Sequence, residues 1–176
     1  MAALSDVRSP QDGLYTEAVA IHGAALERLA QAYEPDSDRC LDLLQEIHLA
    51  LWRSFTSYDQ RCSLRTWVYR VAHNVAISEI SRRRGRAPVL VGLEELESLP
   101  DAIDHEQALD DRRALDRIMT LIHRLDPLDR QVILLYLEGF DAASTAEITG
   151  FSSGNIATKI HRIKKLLARR FREGTS

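Results

Sequence analysis

Apolar residues recur at intervals of three and four along almost the whole chain, and no run alternates with period two for long enough to form a strand. A helix gathers such spacings onto one face, so the pattern commits the 176 residues to an all-α fold. A first helix is predicted over about residues 14–33 and ends where Pro35, Asp36 and Ser37 favour a turn. A second is predicted over about 37–55, with Leu44, Ile47, Leu51 and Phe55 on one face and Asp42, Gln45, Glu46, Leu49 and Trp52 projecting elsewhere. Ser63 is placed to cap a third helix reaching about residue 83, with Leu64, Trp67, Val68, Val71 and Val75 as its buried stripe.

Beyond that helix Gly85, Pro88, Gly92 and Pro100 interrupt any regular element, and acids accumulate from Glu94 onward. Residues 87–105 therefore read as an acidic linker between two small helical domains, 10–86 and 106–174. The second domain is predicted to open with a helix over about 106–124. Asp126 then caps a helix that has Pro127 at its first position, where the missing amide proton is no loss. That helix ends at Gly139, Asp141 caps a short one running to Gly150, and Ser152 or Ser153 caps a last one reaching about Phe171.

Hydrophobic residues at 45% and charged residues at 28% describe a globular chain and not a disordered one. Uncharged stretches fall far short of the ~18 apolar residues that span a bilayer, and Met1 to Asp6 lack a basic region followed by an apolar one. The expectation is a cytoplasmic protein without membrane insertion. In that compartment Cys40 and Cys62 are expected to be separate thiols. The sequence shows no glycine-rich phosphate loop, no nucleophile elbow and no metal-ligand spacing among its six His and two Cys, so neither an enzyme nor a cofactor or metal protein is expected.

The formal charge of −3 conceals two basic blocks. Residues 61–86 hold Arg61, Arg65, Arg70, Arg82, Arg83, Arg84 and Arg86 against one acid, Glu79, and residues 151–176 hold seven basic groups against one. Segregation of this kind points to a polyanion. In the later block a short helix, a turn at Gly150-Phe151-Ser152 and a longer basic helix have the lengths of a helix-turn-helix. Ala146 permits close approach of the two helices, Gly150 permits a left-handed turn residue, and Ile156 locks the second helix onto the first. Ile156, Ile160, Ile163 and Leu167 form the buried stripe, which leaves Asn155, Thr158, Arg162, Lys165 and Arg169 on the opposite side with Lys159 beside them. From the start of that helix Ser152, Ser153, Asn155, Thr158 and Lys159 can reach base edges, while Arg162 and Lys165 lie where phosphates would.

The earlier block interleaves cations with Tyr58, Trp67 and Tyr69, a mixture suited to a single strand whose bases stack on rings while arginines follow the backbone. Trp67 itself is assigned to the core. Arg70, His73 and Asn74 are assigned to a more polar face, where solvation and DNA contact are equally compatible with the sequence.

These residues also carry a resemblance. Leu41 to Trp52, Tyr58-Asp59 and Ser63 to Asn74 resemble region two of the bacterial sigma-70 family, and Leu125 to Val132 leading into the helix-turn-helix resemble its region four. Two such regions joined by a short linker resemble the extracytoplasmic-function (ECF) group. The resemblance implies a sigma factor that binds RNA polymerase core, meeting the beta-prime clamp through Asp42, Gln45, Glu46, Leu49 and Trp52, with the beta subunit also a partner. It implies that region two melts the minus-ten element, the loop at about 57–63 capturing a flipped base and Arg61, Ser63, Arg65, Tyr69, Arg70, His73, Asn74, Arg82 and Arg83 lining the strand. It implies that region four reads the minus-thirty-five element.

One departure stands out. Most members carry Asp-Ala-Glu-Asp where this chain has Arg39-Cys40-Leu41-Asp42. Some sigma groups lacking these acids are activated by a Ser/Thr kinase, which makes Thr56 a candidate phosphorylation site, with Ser54 and Ser57 as competing acceptors; a phosphate supplies about −1.5 to −2 charge. Control by an anti-sigma factor is the more usual arrangement in the family. Two other function classes are compatible with the pattern: a helix-turn-helix regulator acting without polymerase, and a sigma mimic that binds an anti-sigma factor.

Overall fold

Helix formation begins earlier than hydrophobic spacing predicts. In a computed structural model, which describes residues 9–84 and 111–173, α1 runs from Pro10 to Tyr33. Ser9 is its N-cap, Pro10 occupies the first turn, and Ser9 and Asp12 form a reciprocal capping box. Within the helix no large apolar side chain precedes Leu14 and Gly13 weakens the first turn, so the start is encoded in the cap and not in the periodicity. Such a cap stabilises a helix by about 1 kcal/mol.

Asp36 caps α2, Ser37–Ser54, by accepting from the Arg39 amide at 3.0 Å. Leu43, Ile47 and Leu51 are buried and Leu44 only half-buried, so the inward face is turned slightly from the predicted one. A 3₁₀ turn, Phe55–Ser57, follows and buries Phe55. α1 and α2 pack together, the small Ala18, Ala25, Ala30 and Ala32 of α1 all being buried.

Ser63 caps α3, Leu64–Arg84, its Oγ accepting from the Thr66 amide at 3.0 Å. The face of this helix differs from the prediction. Val68, Tyr69, Ala72, His73 and Ala76 are buried, whereas Leu64, Trp67, Val71 and Val75 are half-buried. The physical reason is that Tyr69 and His73, four apart and so on one face, find partners inside. Tyr33 Oη lies 2.8 Å from His73 Nδ1, with the two rings edge to face at 5.6 Å, and His22 stands edge-on to Tyr69 at 6.0 Å.

The second group of helices comprises α4 Asp111–Arg124, α5 Pro127–Leu137, α6 Ala142–Thr149 and α7 Ser153–Glu173. Asp126 caps α5, accepting from the Leu128 amide at 2.8 Å, and Asp141 caps α6, accepting from that of Ser144 at 2.7 Å. Gly139 and Gly150 both have φ of 80°, the left-handed conformation that ends α5 and α6. Ile122, Leu125, Ile133, Ile163 and Leu166 form the core, with Leu166 taking the place predicted for Leu167, which is half-buried with Ile160.

Among the described residues every regular element is helical, and no helix is long and apolar enough to cross a membrane. The chain divides into two compact units between Glu79 and Ile80. The predicted linker at 87–105 and the first residues of the helix predicted from 106 lie outside the described residues.

Candidate functional site

Three surfaces gather the candidate residues. On α2, Asp42, Gln45 and Glu46 are exposed, and so are the apolar Leu49 and Trp52, each at 40%. Leu41, 56% exposed, extends the same stripe at spacings of four, four and three through Gln45, Leu49 and Trp52. Sequence reading missed Leu41, although that spacing was there to be counted. A row of large apolar side chains beside carboxylates, opposite a face already buried in the bundle, is a surface that a protein partner can cover.

The second surface is the turn between the 3₁₀ element and α3. Tyr58 packs on Trp67 with ring centroids 5.2 Å apart and donates to the Cys62 carbonyl at 2.9 Å; Trp67 Nε1 donates to Ser54 Oγ at 2.9 Å. Trp67 is therefore a half-buried anchor for the loop and not the core residue predicted. Gln60 at the loop apex has φ of 60°, unusual without a glycine, and Arg61 reaches Asp59 at 3.0 Å. Ser63 is spent on its capping bond and a contact with Thr66 Oγ1 at 2.9 Å.

Along α3, Arg70 is half-buried and Asn74 exposed, one turn apart on the outward side, and Arg82 and Arg83 follow near the helix end. Arg65 is exposed, its guanidinium 5.9 Å from the Tyr69 ring centre. Tyr69 and His73 do not join them. At 2% and 0% exposure they belong to the interior, which corrects their assignment to a strand-contacting face. Burial holds the His73 imidazole far below its ordinary titration range, at about 3.

The third surface is the outer side of α7. Ser152, Ser153, Asn155, Thr158, Arg162 and Lys165 are all exposed, and Ile156 and Ile163 are fully buried behind them. Ser152 Oγ accepts from the Asn155 amide at 3.3 Å, which fixes the start of the helix. Lys159 departs from this set. Its ammonium pairs with Asp129 of α5, a side chain only 5% exposed, and lies 5.7 Å from the centre of the Phe151 ring. Burial raises the Asp129 carboxyl above its usual range, and the hydrogen bond from Lys159 opposes that shift. Lys159 thus ties α7 to α5.

Beside Asp129, the buried Arg130 was also missed. It donates to the carbonyls of Ile122, His123 and Leu125, satisfying the C-terminal end of α4 where a cation also meets the negative end of the helix dipole. Its burial signal was weak in the sequence because a guanidinium next to a carboxylate reads as surface.

Comparison with known families divides the chain in the same way. The family described as Sigma-70 region 2 matches residues 18–86, and the one described as Sigma-70, region 4 matches residues 115–167. This chain is a member of the sigma-70 family, in its ECF group. Among curated relatives, ECF RNA polymerase sigma factor SigX of Bacillus subtilis is 28% identical over 75% of this chain and 70% of its own length. RNA polymerase sigma factor CnrH of Cupriavidus metallidurans is 27% identical over 88% of this chain and 84% of its own. SigW, another ECF sigma factor of Bacillus subtilis, is 22% identical over 97% and 95%. The same fold is found in a solved structure, the sigma factor RpoE in complex with the anti-sigma factor NepR from Bartonella quintana, with a TM-score of 0.67, 20% identity, and 90% of this chain and 96% of that one covered.

In this sigma factor the α2 stripe, the Tyr58–Trp67 loop and the outward side of α3 all belong to region two, and the outer side of α7 belongs to region four. The first turns of α1, before residue 18, precede the region-two match.

Proposed function

We propose that this chain directs RNA polymerase core to promoters, with domain 10–86 docking on the clamp and opening the minus-ten element and domain 106–174 reading the minus-thirty-five duplex. The observation that carries the reading is the stripe of Leu41, Leu49 and Trp52 among Asp42, Gln45 and Glu46, apolar area left uncovered on the helix whose other face builds the bundle. Aromatic and aliphatic anchors of this kind contribute most of the energy at protein interfaces. On α3, Arg70, Asn74, Arg82 and Arg83, with Arg61 and Arg65 at the loop, remain the residues for the minus-ten strand. The held loop with its strained Gln60 supports base capture at about 57–63. On α7, Ser152, Ser153, Asn155 and Thr158 supply base contacts and Arg162 and Lys165 phosphate contacts. Binding of the full chain to core polymerase tests the reading: a Leu49→Ala/Trp52→Ala variant with unchanged melting should bind at least about tenfold more weakly. Equal binding by the variant would overturn it.

We further propose that phosphorylation of Thr56 by a Ser/Thr kinase strengthens core binding. Thr56 is exposed in the 3₁₀ turn that follows α2 and its hydroxyl donates to the Arg53 carbonyl at 2.8 Å, while Arg39-Cys40-Leu41 places a cation where the family resemblance implies acid. If Thr56→Ala transcribes as well as the unmodified chain in cells, the kinase proposal fails. Activity that appears only on release of a bound protein would assign control to an anti-sigma factor instead.

A further inference from the structure

The first turn of α1 carries a contact that the proposed docking face does not by itself explain. Trp52 Nε1 donates to Asp12 Oδ1 at 2.9 Å, and Gln11 Nε2 donates to the Trp52 carbonyl at 2.6 Å. Asp12 is held on its other side, where Oδ2 accepts from the Ser9 amide at 3.1 Å and the Asp12 amide faces Ser9 Oγ at 3.3 Å. One turn further on, Tyr15 Oη lies 3.0 Å from His48 Nδ1, with the rings edge to face at 6.0 Å. Residues 9–15 thus clasp α2 at two successive turns, His48 and Trp52. All of them precede the matched region-two segment.

We propose that Asp12 is a positioning residue for polymerase engagement, its carboxylate fixing the Trp52 indole in the orientation that the partner meets. The inference rests on the docking face proposed above. An exposed Trp on a helix otherwise samples several rotamers and must be ordered on binding. Here the indole N–H is already satisfied and aimed inward at α1, while 40% of the residue stays accessible, so an apolar part of the ring is presented to a partner. The carboxylate does this with Oδ1 while Oδ2 serves the capping box.

The test is the affinity of the full chain for core polymerase across a double-mutant cycle, with melting temperature measured on every variant. Asp12→Ala is expected to weaken binding about three- to tenfold, the range set by ordering one large side chain. In a Trp52→Phe background, which lacks the indole N–H, Asp12→Ala is expected to change affinity no further. Asp12→Asn keeps an acceptor for the indole and is expected to restore affinity, although it loses the carboxylate's bond to the Ser9 amide. An equal loss from Asp12→Ala in both backgrounds, or wild-type affinity for Asp12→Ala beside a weak Trp52→Ala, overturns the positioning role. Wild-type affinity for Trp52→Ala overturns the docking face itself.

Discussion

His73 is a fully buried imidazole whose Nδ1 meets the Tyr33 hydroxyl and whose Nε2 has no hydrogen-bond partner among the described residues. Burial depresses its folded pKa to about 3 from the ordinary 6.5. The unfolded chain therefore binds a proton that the folded chain refuses throughout that window. Stability from this group is complete above about pH 6.5 and is lost as pH falls toward 3, with a slope of about 1.4 kcal/mol per pH unit. Unfolding free energies from urea melts of the full chain should fall increasingly steeply between pH 7 and 5 as this slope is approached, and His73→Phe should lessen the fall; an unchanged fall contradicts the burial. Lys159 gives a second expectation at the residue scale. Lys159→Ala strands a buried Asp129 and should destabilise region four by about 3 kcal/mol in thermal melts. Asn155→Ala should leave the melt unchanged and relax promoter specificity, because it is an exposed polar side chain early on α7. The sequence could not separate these roles. Tyr69, His73 and Lys159 each have a polar tip that spacing alone assigns to the outside, and what draws them in is a partner remote in sequence: His22, Tyr33 and Asp129.

At the scale of elements the caps were the most legible features. Ser63, Asp126, Asp141 and Ser152 all sit where their short polar side chains predict, because capping is settled within three residues of sequence. The inward face of α3 was less legible, since apolar or aromatic residues occupy both of its sides and the small Ala72 and Ala76 mark the buried one. The turn of the helix-turn-helix rests on Gly150, where a Cβ would meet no neighbour but φ is 80°. Gly150→Ala should therefore cost about 1–2 kcal/mol from backbone strain alone, read as a lower melting temperature of the region-four transition. A clash is not available to enlarge it. On α7 the exposed Arg162 and Lys165 are the residues proposed to hold phosphates. Arg162→Ala should weaken binding to all duplexes alike and reduce the salt slope by about one, measured by titration against duplexes of different sequence. A selective loss on one sequence would show that the face of α7 is assigned wrongly.

For the molecule as a whole, a formal charge of −3 is the sum of segments of opposite sign. The basic block at 61–86 belongs to region two and that at 151–176 begins in region four and runs past its match, each proposed to meet nucleic acid, while acids dominate residues 1–60 and the proposed linker. Arg39 to Leu41, where the family resemblance implies acid, lie in the first turns of the helix that carries the proposed docking stripe. That coincidence ties the two proposals about polymerase binding together: Leu41, Leu49 and Trp52 provide the apolar contact, and Thr56 in the 3₁₀ turn just past that helix is where charge can be added. The most direct measurement is native pull-down of core polymerase by the full chain, before and after Ser/Thr kinase treatment, followed by run-off transcription from the captured holoenzyme. The account predicts a stable complex that initiates at discrete promoters, with more complex after phosphorylation. Failure to retain core polymerase in either state would contradict it.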